Sequence, residues 1–182
     1  MNKSLKTIQT LSKIGRVLSE IVFICSLVSA GLCLAGMTAL ALGAEDALRI
    51  GGVTVHSIIS NEINMTTDQM LSALVVSLIF SAGEAVLSKF AEVYFGHELA
   101  AQTPFTFDGA KEMLRLGILA VVIPIGTQFI AAVVNGILSE ILSGTWNAEV
   151  RSGDSVAIGI MFMVSSVIFK YGAELKGEKE NA

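Results

Sequence analysis

FAEVYFGHELAAQTPFTFDGAKEMLRLG, running from Phe90 to Gly117, is the stretch whose reading decides the fold. It is polar and charged, and a long apolar run flanks it on each side, Leu71 to about Leu87 before it and Leu116 to Leu138 after it. A connector of this kind is what a chain uses when it leaves a bilayer and re-enters it. Two further apolar runs, Ile21 to Leu42 and Val156 to Phe169, complete the pattern. A spanning helix needs about 20 predominantly apolar residues. The first and third runs reach that directly, and the second does so with its polar inner end. The fourth borrows Lys170 and Tyr171 as an interfacial anchor.

Composition points the same way. Of 182 residues 53% are hydrophobic and only 15% are charged, with a mean hydropathy of +0.70, whereas a soluble domain carries about 25% charged residues. The expected fold is all-α: a four-helix transmembrane bundle forming a single integral membrane domain over 1–182, with spans at about 17–43, 67–93, 113–141 and 155–172.

Orientation follows from the basic residues. Ten of the 12 lysines and arginines flank span one at its start, the connector, or the end of span four, and only Arg49 and Arg151 fall on the other side. The positive-inside rule then predicts both termini and the connector in the cytoplasm, with the 45–70 and 143–154 loops outside. Glu45, Asp46, Glu62, Asp68, Glu149 and Asp154 make those loops acidic, which argues against nucleic-acid binding there.

Along the chain, Leu5, Ile8, Leu11 and Ile14 recur among Lys3, Lys6 and Lys13, the pattern of an amphipathic helix lying in the headgroup layer before the chain turns inward. Ala41, Gly43 and Ala44 resemble a signal-peptide cleavage site, but the preceding apolar run exceeds the usual 7 to 15 residues and favours an uncleaved helix. Gly31, Ala35, Ala39 and Gly43 form a smooth packing ridge. Cys25 and Cys33, about 12 Å apart on that helix, cannot bond to each other. Gly51 and Gly52, within LRIGGVTVH (48–56), predict a short extracytoplasmic β-hairpin. Thr66 and Gln69 match a capping box, flanked by Met65 and Met70 as a hydrophobic staple, so span two starts there. Asn64, Met65 and Thr66 match a glycosylation sequon that chance alone often produces. His56 has no neighbouring His or Cys with which to hold a metal.

Span two holds the most informative polar residues. Ser77, Ser81, Glu84 and Ser88 lie within about 40° on one helical face, and Glu84 is about 21 Å along the axis from Met70. A carboxylate at that depth is expensive unless it faces other helices. Gln128 and Asn135 share a face of span three, which also carries Pro124 near its middle, and span four supplies Ser165 and Ser166. Two readings stay open: a buried polar seam of Ser77, Ser81, Glu84, Ser88, Gln128, Asn135, Ser165 and Ser166, or a Glu84 that belongs to the inner boundary and pairs with Lys89 or snorkels.

In the connector, Pro104 pushes Thr103 out of the helical region and breaks the extension of span two, and Thr106 or Asp108 can cap a new helix from Ala110 onward. Tyr94, Phe95, Phe105 and Phe107 stand where an interfacial aromatic belt belongs. Lys111 and Arg115 make the new helix basic. His97-Glu98-Leu99-Ala100-Ala101 lacks the second His of a zinc-protease helix, and no phosphate-binding loop, nucleophile elbow or cofactor motif is present.

TPFTFDGAKEMLRLGI (103–118) and the tail IFKYGAELKGEKE (168–180) together resemble a widespread family of small four-span bacterial membrane proteins of unknown function. Its members carry a G-x-PF[ST] turn leading into a basic helix and a KYG-x-x-L-x-x-E tail. Here Gln102 and Thr103 replace the Gly-x, and the chain ends on Asn181 and Ala182. The resemblance covers essentially the whole chain. It implies a bacterial cytoplasmic membrane, no catalytic residue to carry over, and a small helix-turn-helix regulator as a frequent genomic neighbour. The expectation is a non-enzymatic regulatory, sensory or protective membrane protein without metal or cofactor. It contacts the lipid bilayer, a cytoplasmic or membrane protein partner, or a second copy of itself; the alternative is a small transporter or proton-coupled channel using Glu84.

Overall fold

The computed structural model describes residues 3–42, 49–50, 53–54, 66–101, 105–142 and 153–180. Gly51, Gly52, His56, Asn64 and Met65 of the first loop lie outside the described residues, as do Gln102, Thr103 and Pro104 of the connector. Among the described residues there are four helices: α1, Lys3–Ala41; α2, Thr67–Ala101; α3, Phe107–Ile141; and α4, Gly153–Glu180. Each is long and apolar enough to cross a membrane. The spans expected at 67–93, 113–141 and 155–172 fall within α2, α3 and α4, and that at 17–43 runs two residues past the end of α1.

The all-α four-helix reading stands, and the extracytoplasmic hairpin expected beside it is corrected. A hairpin over 48–56 was expected as an extracytoplasmic β element. The chain instead shows one two-residue pairing, Arg49 with Thr54 and Ile50 with Val53, and no other strand among the described residues. An isolated two-stranded pair is marginal even at full strand length, because no third strand or apolar face supports it. The helices alone make the fold.

A second correction concerns the start of the chain. The segment expected to lie in the headgroup layer and then turn is the first part of one uninterrupted helix, Lys3–Ala41. No proline interrupts it, and its only glycine before residue 31 is Gly15, so nothing in the sequence forces a bend.

Local signals fix the other helix starts. Thr66 Oγ1 accepts from the Gln69 amide at 3.3 Å, and the Gln69 side-chain oxygen accepts from the Thr66 amide at 3.2 Å, the two halves of a capping box. At α3, Thr106 is the cap: its hydroxyl accepts from the Gly109 amide at 2.9 Å and its carbonyl from the Ala110 amide at 3.0 Å. The helix therefore begins at Phe107, three residues before the expected Ala110. Pro124 sits inside α3 without ending it; neighbouring groups in a membrane protein can re-satisfy a freed carbonyl.

The chain forms two compact units. The first comprises Met1–Ile24, Glu84–Ile125 and Arg151–Ala182, and so gathers a segment of every helix. Its core is Tyr94, Met113 and Leu116, with Leu87, Ala91, Phe95, Phe162 and Phe169 packed against them. Helices α3 and α4 cross there at Gly117 and Gly159. A Cβ on Gly117 would stand 2.9 Å from the Gly159 carbonyl oxygen, and one on Gly159 would stand 2.8 Å from that of Gly117. Backbone meets backbone, the close approach that small residues allow between membrane helices.

The second unit comprises Cys25–Gly83 and Gly126–Val150. Leu74 is fully buried in it, and its methyl groups lie 3.1 Å from where a Cβ on Gly36 would be. Two side-chain bonds tie helices together: Ser72 Oγ donates to Asn135 Oδ1 at 2.7 Å, and the Ser29 and Ser81 hydroxyls are 2.9 Å apart. Both free cysteines belong here, Cys25 exposed and Cys33 buried. Large apolar side chains such as Ile21, Phe129, Ile141, Met161 and Val167 are exposed across both units. So much exposed apolar surface is foreign to a soluble monomer and is what a hydrocarbon surround solvates.

Candidate functional site

The last turns of α2 and the first turns of α3 enclose an open cleft of ≈ 910 Å³ within the first unit. Thr106 makes it: by capping α3 it sends the chain back beside α2 after a five-residue gap from Ala101 to Phe107. From α2 the cleft receives Tyr94, His97 and Glu98, and from α3 it receives Asp108, Lys111, Glu112 and Arg115, with Leu114, Ile118 and Leu119 deeper along the helix.

One side-chain contact spans it. His97 Nδ1 lies 2.8 and 3.0 Å from the two carboxylate oxygens of Glu112. Both side chains reach water, at 62% and 38% exposure, so the pair orients more than it stabilises. Glu98 is half-buried and faces the hydroxyls of Ser12 and Tyr94. Tyr94 corrects an expectation. Placed in the interfacial belt by its position after the apolar run, it is a core residue at 4% exposure, edge-on to Phe95 with ring centroids 5.2 Å apart.

Of the expected connector residues, Phe105 and Thr106 are half-buried, and Lys111 and Arg115 are exposed on the cleft wall. The Arg115 guanidinium lies 5.7 Å from the centroid of the Phe90 ring, within cation–π range. Phe105 turns away from the cleft onto α4. Its ring is edge-on to Phe169 at 5.6 Å, and a Cβ on Gly172 would stand 2.5 Å from its Cδ1. Connector and tail motifs thus meet: the aromatic of one sits where the glycine of the other leaves room. Neither sequence stretch alone signals that pairing.

The expected seam residues fall in both units. Ser81 is buried against Ser29, and Asn135 receives Ser72. Those two partners, Ser29 and Ser72, were missed. The available signal was their position as hydroxyls inside apolar runs, which becomes informative only when the facing helix is known. Ser88 and Ser166 are buried and spend their hydroxyls on their own helices, on the Glu84 carbonyl at 2.7 Å and the Met163 carbonyl at 2.7 Å. Ser77 and Ser165 are half-buried, while Glu84 and Gln128 are exposed. Lys89 pairs with Glu92 at 2.8 Å and lies 5.3 Å over the Phe23 ring, at the rim of an apolar hollow of ≈ 360 Å³.

Among the described residues no three His, Cys, Asp or Glu side chains are grouped to hold a metal ion. No protein-family model matches the chain, and neither a curated protein nor a solved structure matches it.

Proposed function

We propose that the chain is a non-enzymatic regulatory or sensory protein of a bacterial cytoplasmic membrane, acting through the α2 to α3 corner, with that corner and both termini in the cytoplasm. The observation that carries this reading is the cleft itself: an open, largely apolar recess edged by charged side chains, spanned by the His97 to Glu112 contact and joined to α4 through Phe105 on Gly172. A ligand or partner that separates His97 from Glu112 would move the start of α3, and with it the Phe105 contact that links the connector to the last helix. Transport through Glu84 has less support, because Glu84 is exposed and is not among the residues that line the cleft.

Two measurements test the reading together. Phe107, exposed at the first residue of α3, accepts a photoreactive phenylalanine analogue without burying it. In native membranes this should give one reproducible protein adduct that Glu112→Ala abolishes. Proteoliposomes carrying an imposed pH gradient should leak no faster than protein-free vesicles. A proton flux that Glu84→Gln removes would replace regulation by transport.

A further inference from the structure

Resting on the reading of the corner as the responsive site, we propose that the cleft holds the headgroup of a glycerophospholipid whose phosphate bears a primary ammonium, of the ethanolamine type. The walls run in the order of such a molecule. Lys111 and Arg115 stand one turn apart on the same face of α3, about 6 Å along its axis, and both line the cleft. Leu114, Ile118 and Leu119 line the cleft along the same helix toward the apolar run, so the basic pair lies toward the connector end and the apolar wall reaches about 6 Å beyond Arg115. A phosphate between the two cations would send its acyl chains along that wall into the bilayer.

Charge decides between headgroups. The cleft has three carboxylates, and two of them are engaged by the protein: Glu112 by His97, and Glu98 by Tyr94 and Ser12. Asp108, one turn before Lys111 on the cleft side of α3, is exposed. Among the described residues Lys111 has no ion-pair or hydrogen-bond partner. An exposed acid one turn from an unpartnered base presents both signs to an incoming group. A headgroup whose distal part is neutral, such as glycerol, would leave Asp108 without a counter-charge. A quaternary ammonium asks for an aromatic cage, and the one aromatic lining the cleft, Tyr94, is buried in the core. A primary ammonium on Asp108 with the phosphate on Lys111 and Arg115 uses the exposed charges that the His97 to Glu112 contact leaves over.

The test reconstitutes the full chain in nanodiscs with equal parts of ethanolamine, glycerol and choline phospholipids, then counts retained lipids by native mass spectrometry. Wild type should retain the ethanolamine lipid preferentially. The double variant Lys111→Ala with Arg115→Ala should lower that occupancy about tenfold or more, since each basic residue at a phosphate headgroup contributes several-fold. Asp108→Asn should abolish the preference for ethanolamine over glycerol lipid while leaving total retention. All three positions are exposed, and unchanged helical circular dichroism checks that each variant folds.

Equal retention by wild type and the double variant would overturn the site, as would preference for the glycerol lipid. Displacement of the retained lipid by soluble phosphoethanolamine at millimolar concentration would assign the cleft to a free metabolite instead. Failure here with no proton flux leaves the regulatory reading standing. Selective retention alongside Glu84-dependent flux supports the site and removes that reading.

Discussion

At the scale of single residues, the contact between Phe105 and Gly172 is the one on which most depends, because it joins the connector to α4 across 67 positions of sequence. Any side chain at 172 must displace the ring. Gly172→Val should therefore destabilise by about 1–3 kcal/mol through overpacking, measured by reversible unfolding in mixed micelles. Adding Phe105→Ala should recover part of the loss, since the clash then has no second party; strict additivity of the two substitutions would refute the contact. Sequence reading singled out both residues, as parts of two separate motifs. It could not pair them, because spacing along a chain reports neighbours on one element and says nothing about which distant elements touch. Tyr94 shows the complementary error: its position beside an apolar run was right for a belt residue, and only the packing of Met113 and Leu116 places it inside.

At the scale of elements, boundaries written in local chemistry were the most legible part of the chain. Thr66 and Gln69 mark the start of α2 because capping needs only residues three apart, and the two reciprocal bonds form as that spacing requires. Thr66→Ala should lower stability by about 0.5–2 kcal/mol and speed amide exchange over the first turn of α2, leaving the corner untouched. Normal exchange at Gln69 and Met70 in that variant would show that the cap is dispensable. The short loop pairing was over-read for the same reason that the cap was well read. A Gly-Gly between β-prone pieces is a local hairpin signal, but a ladder persists only with support from outside the signal, and among the described residues the pairing comprises two residues per strand. The Gly117 to Gly159 crossing was passed over because each glycine, read alone, resembles any other small residue in a membrane helix.

At the scale of the whole molecule, four apolar helices follow from composition and run length, while the side on which each end lies rests on the ten basic residues gathered at the termini and connector. In a background with Cys25 and Cys33 replaced by serine, cysteines at Gly109 and Gly177 should react only with membrane-permeant reagents, and one at Asn147 with impermeant ones. Labelling of position 109 from outside would invert the proposed topology. Helix length carries one more consequence. With 39, 35 and 35 residues, α1, α2 and α3 are far longer than a hydrocarbon core of about 30 Å requires. Helix α4 has 28 residues, and its apolar run, Val156 to Phe169, is the shortest of the four. The fourth helix has the least apolar length with which to suit a thicker bilayer. Hydrophobic mismatch should therefore be felt first by α4. On moving from short-chain to long-chain phosphatidylcholine, amide exchange should rise at the two ends of α4 while the ends of the other helices hold, making the shortest span the gauge by which this protein measures its membrane.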